Sequence, residues 1–267
     1  MLIQNKNFTG HTYIMGILNV TPDSFSDGGK YNSPDAALKR AEEMIRDGAD
    51  IIDIGGESTR PGFTPVTPSE EIERVCPVIE KIKHEFDIPV SVDTFKGETA
   101  LAAAKAGADL INDIWGFKYD EKTAETVKKY GLSACLMHNR PNTEYSDFVN
   151  DVVNDLRESI LIADKYNIPH EKLMTDPGVG FAKSYEQNLE IINNIDALEA
   201  LGLPVLLGTS RKSVIGLTLN LPADERLEGT LATTVFAVMK NCLFVRVHDI
   251  KENKRIILMT EKILGKI

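Results

Sequence analysis

The chain has 267 residues, 42% of them hydrophobic and 26% charged, with 19 Gly and 12 Pro, a globular balance that excludes a disordered or collagen-like chain. Its 40 acidic against 30 basic side chains leave a formal charge of −10, which argues against nucleic acid or an anionic membrane surface as the main partner. An anionic small substrate stays open, provided its cations are gathered locally.

Cys76, Cys135 and Cys242 are far apart, odd in number and in no CxxC or CxxH spacing, so neither a zinc site nor a disulfide framework is indicated and a reducing compartment is the default. The opening MLIQNKNFTGHTY has no apolar signal region, and no later run approaches the ~18 continuous apolar residues of a membrane span. The expectation is a cytoplasmic protein.

Short apolar runs alternate with longer amphipathic ones at a spacing of roughly 30 residues, as repeated strand and helix units require. Eight strands are expected, at 13–20, 49–54, 90–93, 109–114, 132–137, 172–176, 204–208 and 243–247. Their near-continuous apolar character means burial on both faces, as in a parallel sheet covered by helices. A helical window at 34–46 places Ala37, Ala41, Met44 and Ile45 at helical spacing, with Ser33 as cap and Pro34 at the first helical position. RDGADIIDI at 46–54 and KAGADLINDI at 105–114 each end a helix on glycine, which tolerates the left-handed conformation, and launch a strand directly after it. Eight such units with no linker predict an α/β fold, a single-domain (β/α)8 TIM barrel over 1–267. The Gly/Pro/Ser-rich stretches at 21–33 and 57–67 are too long for ordinary βα loops, and such loops are usually functional.

Reacting groups in these barrels sit on the carboxyl ends of the strands. Those ends carry Asn19, Asp93, Asn112 with Asp113, His138, Asp176, the run Ser210, Arg211 and Lys212, and finally Arg246 and His248. Alternation sends Asn112 and Asp113 to opposite faces, and Asn112 is the one expected in the barrel mouth. Asp53, inside the apolar run IIDIGG, reads as a buried structural carboxylate, with a substrate role as the lesser alternative. His138 stays open between a core histidine and a pocket group, and Cys135 and Cys242 read as small buried hydrophobes. No HExxH, GxSxG or GKS/GKT motif occurs, and the paired glycines at 28–29 and 55–56 are not GxGxxG. Two carboxylates, Asp93 and Asp176, thus oppose a basic set of Arg60, Arg211, Lys212, Arg246 and His248. That constellation suits a polar heterocycle with an amidine-like edge and an anionic group, because carboxylates grip paired N–H donors and arginines grip phosphate oxygens.

With these residues in place the sequence resembles the dihydropteroate synthase family over essentially its whole length. The resemblance rests on MGILNVTPDSFSDGG at 15–29, DIGGESTRPG at 53–62, SVDT at 91–94, INDI at 111–114, LMH at 136–138, DPGVGFAK at 176–183, TSRKS at 209–213 and RVHD at 246–249. It implies a (β/α)8 barrel, usually a homodimer, that joins 6-hydroxymethyl-7,8-dihydropterin diphosphate to 4-aminobenzoate with release of pyrophosphate in the presence of Mg2+. By the same resemblance Asp93, Asn112, Asp176 and Lys212 hold the pterin ring and Arg246 covers its face. Asn19, Thr59, Arg246 and His248 take the pyrophosphate, with Mg2+ at Asn19. The aminobenzoate falls to Thr59, Pro61, Phe181, Lys212 and Ser213, with Ser210 on the same wall, and Asp27 and Arg60 complete the site from the two long loops.

The chemistry expected is a dissociative, SN1-like substitution, in which the electron-rich reduced pterin delocalises the cation left by departing pyrophosphate. Closure of the two long loops is expected to keep water from capturing that cation. Two departures from the family pattern stand out. LMH is followed by Asn139, Arg140, Pro141 and Asn142, which predicts a different rim in the fifth loop, and KNCLF before the last strand lacks a small-residue turn. Rival readings are a pterin-binding methyltransferase of the methyltetrahydrofolate to corrinoid type and a non-catalytic pterin-binding paralogue. The STRPG and SRKS blocks and the long first loop favour the synthase.

Overall fold

A computed structural model of the chain describes residues 1–21, 34–57 and 65–267. After a short antiparallel hairpin of β1 (Leu2–Ile3) and β2 (Lys6–Asn7), eight parallel strands follow. They are β3 (Tyr13–Asn19), β4 (Ile51–Gly55), β5 (Val90–Asp93), β6 (Leu110–Asp113), β7 (Ser133–Met137), β8 (Leu173–Asp176), β9 (Leu206–Leu207) and β10 (Phe244–Val247). The hydrogen-bonded order runs β8-β7-β6-β5-β4-β3-β10-β9. A parallel bridge between Thr175 and Val205 then joins β8 to β9 and closes the barrel. All eight expected strands are present, and their ends agree with expectation to within two residues.

The helices cover the outside: α1 (Pro34–Asp47), α2 (Pro68–Glu85), α3 (Gly97–Ala106), α4 (Lys122–Tyr130), α5 (Phe148–Lys165), α6 (Tyr185–Asn193), α7 (Ser213–Leu219), α8 (Leu227–Met239) and α9 (Ile250–Ile263). Ser33, the expected cap of α1, lies outside the described residues. The two glycine stops behave as the sequence requires, Gly48 at φ 106 and Gly107 at φ 105. In KNCLF the missing small-residue turn is supplied by Asn241, at φ 57, since asparagine enters the left-handed region more readily than other side chains.

Alternation along the strands builds two different cores. Outward residues such as Ile14, Ile52, Val92, Ile111, Leu136, Leu173, Leu207 and Val245 join the main cluster beneath the helices. Inward residues near the amino ends, Met15, Ile51, Leu110, Cys135, Met174, Leu206 and Phe244, fill the barrel, and Ile3 and Phe8 of the N-terminal hairpin region complete this plug. The hairpin escaped the sequence reading because two-residue strands carry no periodicity. One or two steps further along the same inward face, the residues become Asn19, Asp53, Asp93, Asn112, Asp176 and Arg246. An apolar floor therefore lies below a polar mouth.

Candidate active site

At the mouth, neighbouring strands set Gly55 beside Asp93 and Asp93 beside Asn112. A Cβ placed on Gly55 would stand 3.3 Å from the Asn19 Oδ1 and 3.9 Å from the Asp93 Cβ, so the missing side chain makes room for Asn19 to approach the carboxylate. Across the barrel Gly208 has the same use: its Cβ would stand 3.5 Å from Asp176 Oδ2, 3.8 Å from the Arg246 Cβ and 3.9 Å from Lys212 Nζ. Asp93, Asp176, Lys212 and Arg246 thus converge on one rim, as the sequence reading requires.

Arg246 organises the acidic side. Its Nε donates to Asp53 Oδ2 at 2.6 Å and its Nη2 to Asp93 Oδ2 at 2.7 Å, while Asn112 Nδ2 donates to the same Asp53 oxygen at 3.2 Å. Burial alone would lower the guanidinium pKa, but Asp53 and Asp93 outweigh it and hold the group charged. Burial pushes Asp93 well above the usual carboxylate range against the pull of Arg246. Among the described residues, the buried Oδ1 atoms of both Asp53 and Asp93 have no hydrogen-bond partner. Buried acceptors are rarely left so, and here the orphaned Asp93 oxygen stands in a mouth that can admit a donor. Asp53 therefore anchors Arg246 and Asn112, a role that its place in an apolar run concealed.

Asp176, also raised by burial, accepts the backbone N–H of Gly178 on Oδ1 at 2.7 Å. Lys212 donates to the carbonyl of Val179 and sits 5.0 Å from the centre of the Phe181 ring, and burial draws its pKa down to about 8. Ser213 begins α7 and is exposed. The Ser210 hydroxyl accepts the His248 backbone N–H at 3.2 Å and meets His248 Nδ1 at 3.0 Å.

Asp113 and His138, one expected off the mouth and one left open, both serve as structural groups, and Arg211 departs from the expected basic set. Asp113 faces away from the mouth and accepts the backbone N–H groups of Trp115 and Phe117, so it braces a turn in which Phe117 adopts φ 69. Arg211 does not join the basic set at the centre, because its guanidinium pairs with Asp249 through both Nε and Nη2. His138 is a buried network residue: its Nε2 lies 2.9 Å from Asp155 and its Nδ1 2.8 Å from Lys183 Nζ. Burial brings its pKa down to about 4. Asp27, Thr59, Arg60 and Pro61 lie outside the described residues. Beside the mouth, a cavity of about 670 Å³ has Phe95, Trp115, Tyr119 and Phe181 among its walls.

The family model described as pterin binding enzyme matches residues 15–248. A dihydropteroate synthase of Clostridium beijerinckii is 58% identical over 267 residues, covering 99% of each chain. That of Bacillus subtilis is 52% identical over 255 residues, 96% of this chain and 90% of its own. Among solved structures, the Clostridium difficile dihydropteroate synthase determined in the presence of pteroic acid superposes with a TM-score of 0.94 at 48% identity, covering 97% of this chain and 98% of that one. The Xanthomonas albilineans enzyme with 4-aminobenzoic acid gives 0.91 at 39% identity, covering 96% and 94%. A closed (β/α)8 barrel with this acid-and-base rim and this family match is a pterin-binding enzyme. Within that class the chain belongs to the dihydropteroate synthases, transferases of folate biosynthesis.

Proposed function

We propose that the rim described here carries out the condensation of 6-hydroxymethyl-7,8-dihydropterin diphosphate with 4-aminobenzoate in the following way. Asp93, Asn112 and Asp176 hold the polar edge of the dihydropterin, and the orphaned Oδ1 of Asp93 is the observation that carries this reading: a buried carboxylate oxygen without a donor is matched by a ring N–H. The C–O bond to the diphosphate breaks first, and the bonding pair leaves with pyrophosphate. The cation at the methylene carbon is delocalised into the electron-rich ring and favoured by the carboxylates beneath it. Arg246 and His248 meet the negative charge on the departing oxygens, the kind of preorganised stabilisation that is usually the largest catalytic contribution. The neutral amine of 4-aminobenzoate, seated at Phe181, Lys212 and Ser213, attacks the carbon and then loses a proton. An arylamine is neutral and nucleophilic at pH 7, so no strong base is required.

Mg2+ fits this site in one way. Among the described residues no group of three or more His, Cys, Asp or Glu could hold a metal, whereas the Asn19 amide oxygen at the mouth is a hard donor of the kind magnesium takes alongside substrate phosphates. Asn19 together with the diphosphate would hold the ion, which when bound would neutralise leaving-group charge.

Asp27, Thr59, Arg60 and Pro61 are assigned to the same site on the resemblance alone. We also assign the enzyme to the cytoplasm, in keeping with three unpaired cysteines. Among the described residues no helix is long and apolar enough to cross a membrane. A homodimer is supported by exposed apolar side chains on the adjoining α7, α8 and α9, namely Leu217, Met239, Met259 and Ile263, and sedimentation tests it. Release of pyrophosphate that needs both substrates and is abolished by EDTA tests the chemistry. Methyl transfer to a corrinoid, or pterin binding without turnover, would instead establish one of the rival readings.

A further inference from the structure

The loop from Asp176 to Ser184 carries Phe181 to the mouth, and one side chain ties most of it down. Lys183 Nζ lies 2.8 Å from His138 Nδ1, 3.1 Å from the Gly178 carbonyl and 3.1 Å from the Phe181 carbonyl. Three N–H donors meet three acceptors. The arrangement requires His138 to be neutral with its proton on Nε2, and Asp155 accepts that proton's hydrogen bond at 2.9 Å. Asp155, from α5, is itself gripped by Arg140 through Nε and, at 3.1 Å, Nη2. The unusual residues that follow LMH thus anchor a chain of contacts that ends at the backbone of Phe181, whose ring carries the Lys212 ammonium. Burial brings the Lys183 pKa down to about 7, so holding this charge inside the protein is not favourable in itself.

We propose that Lys183 is a positioning residue for the acceptor half of the reaction, holding the Gly178–Phe181 backbone against His138 so that the Phe181 ring and Lys212 form the arylamine wall. Lys183 touches neither substrate. The proposal rests on the acceptor being seated at Phe181, and the two are tested together. Lys183→Met should raise the KM for 4-aminobenzoate by roughly tenfold, the scale of a lost charged hydrogen bond, while the calorimetric Kd for a pterin stays within about twofold. Lys183→Arg, which returns donors to the two carbonyls, should recover much of that loss. If Lys183→Met does not fold, Lys183→Gln carries the same expectation. Phe181→Ala serves as the reference. If it raises the acceptor KM and the Lys183 variants do not, or if they weaken both substrates equally, the positioning role is wrong. If Phe181→Ala leaves the acceptor KM unchanged, the acceptor seat itself is wrong and the role of Lys183 falls with it.

Discussion

Arg246 and Asp93 face each other across the barrel mouth at 2.7 Å, and the guanidinium is held there from behind by Asp53 at 2.6 Å. Asp93 uses only Oδ2 for this pair, and among the described residues its buried Oδ1 has no hydrogen-bond partner. The arginine is thereby fixed above the apolar floor of the barrel by protein groups alone.

That geometry makes Asp53 matter to catalysis without contact to substrate. Asp53→Asn removes the charge behind Arg246 and puts a donating amide nitrogen in place of one carboxylate oxygen, even though its amide oxygen can still accept from both Arg246 and Asn112 as Asp53 Oδ2 does. Turnover should fall by up to about 100-fold, the penalty of misplacing a catalytic group by about an ångström, with a smaller rise in pterin KM. Steady-state kinetics check this, and a wild-type kcat would show that Arg246 holds its place unaided.

Asp176 is assigned a direct contact with the ring, and its variant should separate binding from chemistry. Asp176→Ala removes one of the two carboxylates assigned to the ring, and loss of a charged hydrogen bond costs about 1.5–3 kcal/mol. Calorimetry should show pterin affinity falling by more than about tenfold; unchanged affinity would remove Asp176 from the pterin site.

Most of this was legible in the sequence, and what was not has a physical reason. The eight strands announce themselves because both faces are buried, and the mouth residues stand at strand ends where apolar runs turn polar. The sequence around Asp53 points to a structural carboxylate, which is half of its role: a pattern of apolar neighbours signals burial but not the arginine, 193 positions away, that the carboxylate holds. Lys183 lies within DPGVGFAK but its part is not legible there, since its three acceptors include two backbone carbonyls and no motif encodes a carbonyl. Arg211 reads as one of the central cations for the converse reason, because the partner that engages it, Asp249, lies 38 residues on.

Activity should depend on pH through two buried groups of the mouth. Asp93 must be ionised to accept ring N–H donors, and burial places its pKa above the usual carboxylate range, so kcat/KM for the pterin substrate should rise with pH as it ionises. Lys212 loses its charge at about 8, which sets a falling limb above that value. The same shifts act on stability with opposite signs. Raised Asp93 contributes stability that is present below 3.8 and lost as pH rises through its folded pKa. Depressed Lys212 makes stability increase between about 8 and 10.5. A kcat/KM profile flat from pH 6 to 9 would exclude both groups as controlling ionisations.

The Asp155 cluster should govern acid stability. Hydrogen bonds from His138 and Arg140 outweigh burial and hold Asp155 well below the usual carboxylate range, so its contribution is present above 3.8 and lost as pH falls toward its folded pKa. His138, lowered from 6.5 to about 4, makes stability fall as pH drops between those values. Asp155→Asn should therefore cost about 1.5–3 kcal/mol at pH 7 and flatten the acid limb of the melting-temperature profile. An unshifted profile would mean that the cluster is energetically idle.

Gly208 offers the sharpest separation of site from scaffold. An added Cβ there meets Asp176 Oδ2 at 3.5 Å, the Arg246 Cβ at 3.8 Å and Lys212 Nζ at 3.9 Å, all ordinary van der Waals distances, so Gly208→Ala folds without strain. The methyl group nevertheless stands among three residues assigned to the pterin, and filling that space should raise the pterin KM by roughly tenfold, within the 1–3 kcal/mol cost of overpacking a filled volume. Gly178 is the contrasting case. It sits at φ 70, and a Cβ would collide with the His138 carbonyl oxygen, so Gly178→Ala should lower the melting temperature as well as activity. Melting curves and pterin titrations on the two variants distinguish them. A Gly208→Ala enzyme with unaltered pterin affinity would show that the ring does not lie where Asp176, Lys212 and Arg246 come together.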